Sequence, residues 1–156
     1  MTTTPVLAPV DGRAVPLQDV PDPVFSAGMV GYGAAIDPPR GVIDAVAPVS
    51  GKLLRLMPHA YIVMTPEGVG VLVHLGLDTV ALNGEGFTTH VSQGDEVSAG
   101  QVVITYDVPS VEGKGLNPIV PVVVMDEREP GNVVASEAVT AGMDIASGAM
   151  LFTAHK

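Results

Sequence analysis

Between its glycines and prolines the chain carries short runs rich in Val, Ile, Leu and Thr, at residues 42–47, 59–65, 71–75, 101–107, 121–126 and 149–154. Runs of this length, β-branched and bounded by turn residues, predict strands. The longest stretch free of both Gly and Pro is Asn132 to Ala141, which leaves a helix of the usual ~11 residues almost nowhere to sit. Residues 110–117, with Gly113 and Gly115, read as a loop holding at most one helical turn. The expected fold is all-β, an antiparallel β-sandwich or flattened barrel with little or no helix.

Two internal echoes predict that this architecture is duplicated. Ala8-Pro-Val-Asp-Gly12 recurs as Ala47-Pro-Val-Ser-Gly51, and the apolar residues and glycines of Val91-Ser-Gln-Gly-Asp-Glu-Val-Ser-Ala-Gly-Gln-Val-Val103 recur at the same offsets in Val139-Thr-Ala-Gly-Met-Asp-Ile-Ala-Ser-Gly-Ala-Met-Leu151. Two copies are too few for a solenoid, so related halves of one sandwich fit better. The second echo also resembles biotinyl and lipoyl carrier domains. Those need a lysine at a hairpin tip, and Lys52, Lys114 and Lys156 lie in no matching hairpin sequence, so the glycines are read as turn scaffold.

One hairpin has a register that can be worked out by arithmetic. His59 opens His-Ala-Tyr-Ile-Val-Met-Thr65, His74 closes Val69-Gly-Val-Leu-Val-His74, and Thr65-Pro-Glu-Gly68 between them suits a type I turn. With Pro66 and Glu67 as the turn centre, paired residue numbers sum to 133 and His59 faces His74, Cβ atoms roughly 4.5–5.5 Å apart on one face. A three-residue loop would raise the sum to 134 and send the two rings to opposite faces.

Composition narrows what such a pair can do. The 156 residues, 47% hydrophobic, suffice for one ordinary domain, expected over 1–156 with a short tail at 1–5. With no cysteine there is no disulfide framework, thiolate metal cluster or Cys nucleophile. The N-terminus has no signal-peptide pattern and no apolar run reaches the ~18 residues of a membrane span, so a cytoplasmic location is expected. A net charge of -10 with only 7 Lys and Arg opposes a nucleic-acid or anionic-membrane surface, but such a field can steer a basic partner.

A neutral imidazole is a nucleophile near pH 7, and a bond from its other nitrogen to a carbonyl fixes the tautomer and frees one nitrogen for an incoming group. Phosphoryl transfer asks mainly for positioning and charge stabilisation, and a second imidazole can bind phosphoryl oxygens. Either histidine alone would more often be an ordinary strand residue; two facing rings have little structural use. Zinc is the alternative, as a hydrolase on a β scaffold using His59, His74 and Asp78. His74-Leu-Gly-Leu-Asp78 supplies an H-x-x-x-D spacing, yet such enzymes also need an H-x-H pair, and none occurs. No metal or other cofactor is required, although the pair could take up zinc adventitiously or for regulation. His90 and His155 read as solvated, with no partner in view.

Together these motifs resemble the IIA domain of the glucose-type sugar phosphotransferase system. The resemblance runs from about Val6 to Phe152. It is carried by the two Ala-Pro-Val blocks, by Asp19-Val-Pro-Asp-Pro-Val-Phe25 and Gly31-Tyr-Gly-Ala-Ala-Ile36, by His59-Ala60, and above all by Val73-His-Leu-Gly-Leu-Asp-Thr-Val-Ala-Leu-Asn-Gly-Glu-Gly-Phe87. It implies a β-sandwich that takes phosphate from the phosphocarrier HPr and delivers it to a cysteine of a IIB domain, for glucose or N-acetylglucosamine uptake. His74 is then the residue phosphorylated at Nε2, and His59 its supporting partner. The carbonyl of Gly76 takes the proton on Nδ1, Asp78 lies near the site, and Val73 is a supporting neighbour. A monomer without a membrane anchor is expected. Two positions depart from the family pattern. Tyr32 stands where many members have Asp, and Met57-Pro58 where a Thr-Asn pair often precedes the supporting histidine.

Overall fold

The computed structural model describes residues 3–155. Their strands are β1 (Thr3–Leu7), β2 (Gly12–Pro16), β3 (Gly31–Asp37), β4 (Val42–Val46), β5 (Gly51–Met57), β6 (Ala60–Met64), β7 (Gly70–His74), β8 (Phe87–Thr89), β9 (Glu96–Val97), β10 (Val102–Asp107), β11 (Val120–Met125), β12 (Val133–Ala135), β13 (Asp144–Ile145) and β14 (Met150–His155). All pairings given for them are antiparallel. Eight strands form one sheet in the order β13-β2-β3-β11-β7-β6-β5-β9, and β1-β14-β12 and β4-β10-β8 form two smaller ones. The expected all-β architecture is present, and the breaker spacing limits helix to α1 (Pro23–Ser26), α2 (Val108–Gly113), α3 (Glu137–Ala141) and a few 3₁₀ turns. The first strand begins at Thr3, inside the tail expected at residues 1–5, because Thr3 to Leu7 pair with β14. Met1, Thr2 and Lys156 lie outside the described residues. No helix of the described residues is long and apolar enough to cross a membrane.

The internal echo is a two-fold pseudosymmetry. The Leu7 amide donates to the Pro48 carbonyl and the Val46 amide to Pro9, so the two Ala-Pro-Val blocks clasp each other reciprocally. Each block also holds one glycine-spaced loop. Ala8 bonds to Ala149 and receives from Gly148, and Asp11 Oδ1 accepts from the Ser147 amide. In the other half Ala47 bonds to Gln101 and receives from Gly100, and Ser50 Oγ accepts from Ala99. Gly100 and Gly148 have φ of +90° and +89°, a conformation open to glycine at little steric cost.

Alternation along the large sheet makes two faces. Ile36, Tyr61, Val71, Val73, Leu75, Val122 and Val124 are buried in the main core against Val6, Ile104, Leu151 and Phe152. Ala35, Ala60, Leu72 and Val123 form a smaller cluster on the other face, covered by Leu17, Val20, Phe25, Leu77 and Ile119. His74, two residues from Leu72, shares this second face.

Candidate functional site

The hairpin of β6 and β7 differs from its predicted register. The Gly68 amide donates to the Thr65 carbonyl and Thr65 pairs with Val69, so the loop is the three residues Pro66-Glu67-Gly68 with Gly68 at φ +90°. A type I turn followed by a left-handed glycine is the usual solution for a loop of this length. Paired numbers therefore sum to 134, and Ala60, not His59, stands opposite His74. By strand alternation alone the two histidines would now point to opposite faces. They do not, because His59 is not in the strand: β5 and β6 are joined through Met57 opposite Ala60, leaving Pro58 and His59 as the turn. The Leu75 amide anchors that turn by donating to the His59 carbonyl at 2.8 Å, and the His59 ring folds onto His74. The ring centroids are 5.1 Å apart with planes 73° from parallel.

His74 Nδ1 lies 2.6 Å from the Gly76 carbonyl. An N–H at Nδ1 donating there leaves Nε2 with its lone pair free. The chain can turn back under its own ring because Gly76 has φ +85°; a Cβ there would meet Thr79 Cγ2 at 2.7 Å. Thr79 is itself buried, donating through Oγ1 to the Leu75 carbonyl. His74 also meets Phe25, with centroids 5.3 Å apart and planes tilted by 59°. Phe25 is placed by α1, whose N-cap Asp22 accepts from the Val24 amide at 3.0 Å, with Pro23 at the first helical position.

Burial pushes the His74 pKa below the ordinary histidine value, only partly opposed by the bond to Gly76 and by the charges of Asp22 and Asp78. Burial and the neighbouring His74 lower that of His59 as well. Both rings are thus held toward the neutral form at pH 7. His59 is 7% exposed, and among the described residues its ring makes no hydrogen bond. Met57 and Pro58 supply no hydroxyl to orient it.

The structure thus brings His59, His74, Gly76 and Asp78 together and sets Val73 apart. Val73 is fully buried toward the main core, between Tyr61 and Val122. Asp78 has φ +61° and caps nothing with its side chain. Tyr32 pairs by register with Val124, and its ring lies against Gly28, just after α1. Asp22 and Phe25 are site residues that spacing could not reveal, about fifty positions from His74; the only signal was their place in the Asp19–Phe25 block. Of the other histidines, both have partners that the sequence did not show. His90 Nε2 lies 2.6 Å from Thr105 Oγ1, which donates to Asp44, and His155 Nδ1 lies 3.2 Å from Thr3 Oγ1. No group of three or more His, Cys, Asp or Glu that could hold a metal occurs among the described residues, so the zinc alternative lacks a third ligand.

Residues 4–129 match the family model described as phosphoenolpyruvate-dependent sugar phosphotransferase system, EIIA 1. The chain is 42% identical over 142 residues to the glucose-specific EIIA component of Oceanobacillus iheyensis, covering 88% of this chain and 84% of that protein. It is also 42% identical over 136 residues to the glucose-specific EIIBCA component of Corynebacterium glutamicum, of which it spans only 20%. Glucose permease IIA from Mycoplasma capricolum superposes with a TM-score of 0.85 at 36% identity, covering 98% of this chain and 96% of that one. None of these relatives is a zinc hydrolase or a biotinyl or lipoyl carrier. The chain belongs to the EIIA 1 family of the phosphoenolpyruvate-dependent sugar phosphotransferase system and is a phosphocarrier of that system.

Proposed function

We propose that His74 Nε2 is the phosphoryl acceptor, loaded from HPr and unloaded onto a cysteine of a IIB domain, with His59 holding the phosphoryl oxygens for the onward transfer. The observation that carries this reading is the asymmetry of the two rings. His74 has Nδ1 committed to Gly76 and Nε2 free, while the His59 ring, which makes no hydrogen bond among the described residues, stands 5.1 Å away. A nitrogen of the His59 ring is thus left to donate to an oxygen of a phosphoryl group carried on Nε2. In loading, the Nε2 lone pair bonds to phosphorus as the donor's P–N bond breaks and its electron pair stays with the donor. Because Nδ1 keeps its proton, no separate base is needed.

Around the pair the surface is apolar and acidic: Val24 is 46% and Val80 66% exposed, and Asp78 is exposed and Asp22 half-buried. That suits a protein donor presenting a basic rim around an apolar contact. The Corynebacterium relative, named as an EIIBCA component, carries the A unit in one chain with B and C, which supports direct delivery to a IIB domain. We assign the chain to the cytoplasm, as a monomeric IIA unit serving a glucose-class permease; the sugar itself is bound elsewhere.

Incubation with phosphoenolpyruvate, the general phosphotransferase enzyme and HPr tests the assignment. Acid-labile, base-stable phosphate should appear on the wild type and not on His74→Gln. His59→Gln should still load while its transfer to IIB falls. Undiminished label on His74→Gln would refute the acceptor, and normal onward transfer by His59→Gln would refute the supporting role.

A further inference from the structure

We propose that Phe25 is a positioning residue for His74: its ring holds the imidazole against His59, fixing the plane in which Nε2 is presented, and shields the phosphorylated ring from water. This rests on the reading of His74 as acceptor.

The placement of Phe25 carries the inference. It is 6% exposed, although its neighbours Val24 and Met29 on the same segment are 46% and 61% exposed. It helps to cover the second face of the large sheet and so is held in place by packing. The ring belongs to the small cluster that includes Leu17, Val20, Leu72 and Leu77, and it also meets His74. The torsion that turns an imidazole about its Cβ–Cγ bond has a broad profile, and the bond from Nδ1 to Gly76 fixes one atom of the ring without fixing its tilt. Two further ring contacts restrict that freedom, Phe25 with its centroid at 5.3 Å and His59 with its centroid at 5.1 Å. His59 cannot supply the constraint alone, since nothing hydrogen-bonds its ring.

The same contact governs loss of phosphate. Hydrolysis requires a water oxygen to bond to phosphorus as the P–Nε2 bond breaks, the electron pair returning to Nε2 and both water protons leaving on the phosphate. A ring packed on the flank of His74 reduces the directions from which that water can come.

Phe25→Leu, close in volume but without a ring, is the deciding variant, with Phe25→Ala and Phe25→Tyr beside it. In the unphosphorylated chain, imidazole ¹⁵N spectra report the Nδ1–H tautomer and the His74 titration. In the phosphorylated chain, the lifetime of the label without acceptor reports shielding. Phe25→Leu and Phe25→Ala should show a mixed tautomer, a His74 midpoint moved up toward the ordinary histidine range, and a label lifetime shortened by more than twofold as water gains a further approach to phosphorus. Phe25→Tyr should restore both readouts. Tautomer and lifetime of folded Phe25→Leu within twofold of wild type would overturn the proposal. A wild type that takes no phosphate would instead refute the acceptor reading, while the nitrogen spectra still decide the positioning of the ring.

Discussion

At Gly76 a single backbone conformation sets the protonation of a side chain two residues earlier. With φ +85° and Thr79 Cγ2 2.7 Å from where a Cβ would stand, substitution meets both torsional and steric resistance. Gly76→Ala should cost roughly 1–2 kcal/mol from the left-handed backbone alone, read as a lowered urea midpoint. It should also disturb the Nδ1 tautomer of His74, visible in its ¹⁵N shifts, and slow loading. A Gly76→Ala protein with native stability and tautomer would show that the close turn is incidental. The two histidines add a pH dependence whose sign follows from burial. Both have native pKa values below the ordinary histidine value of about 6.5, so as pH falls the unfolded chain takes up protons first. Stability is then lost as pH drops below about 6.5, down to the native values, and is flat above. The measurement is the difference in urea midpoint between wild type and His59→Gln/His74→Gln at pH 7.5, 6.0 and 5.0, which subtracts the carboxylates. Wild type should lose stability relative to the variant on acidification; a constant difference would contradict the burial argument.

Short elements decide which side chains meet, and here sequence and structure part company instructively. Breaker spacing and β-branched runs located six of the fourteen described strands, β4, β6, β7, β10, β11 and β14, and Pro66 and Gly68 marked the turn. The register, however, depended on whether Gly68 ends the loop or opens the next strand, a choice made by one left-handed residue at φ +90°. The predicted strand at 59–65 began one residue early for a related reason: Pro58 and His59 close a tight turn with β5, and a turn residue escapes the two-fold alternation on which the arithmetic relied. The pair was thus legible as a pair, by the wrong geometry. Asp22 and Phe25 were not legible, because α1 is four residues long and carries no periodicity, and its approach to His74 is purely tertiary. Asp22 nonetheless makes a checkable claim. It caps α1 and its charge raises the His74 pKa. Asp22→Ala should cost about 0.5–2 kcal/mol as a lost cap and lower the His74 titration midpoint further in a two-dimensional NMR titration. Asp22→Asn should keep most of the cap and lose the charge. An unmoved midpoint in both variants would remove Asp22 from the site.

The whole molecule is two related halves clasped through Ala8-Pro-Val and Ala47-Pro-Val, and the proposed acceptor breaks that symmetry. His74 stands at the end of β7, which pairs with β11 at Val73 and Val122. The corresponding end of β11 carries only aliphatic residues and Met125. One site per chain, on one face, sits in the field of a net charge of -10. The partner of a phosphocarrier must find that face repeatedly and leave it after each transfer, so encounter speed matters more than tight binding. Long-range attraction between an acidic carrier and a basic donor raises the association rate without adding contacts, and salt screens it over a Debye length of about 10 Å at 0.1 M. The rate of loading at sub-saturating HPr should therefore fall about tenfold or more between 0.02 and 0.5 M NaCl, while the rate at saturation stays nearly constant, because chemistry at the half-buried Nε2 is screened far less. Asp78→Asn should flatten the salt dependence without altering the saturated rate. Rapid-quench measurement of the label on His74 separates the two quantities. A saturated rate that falls as steeply as the sub-saturating one would place the charges in the transfer step itself instead of in the encounter.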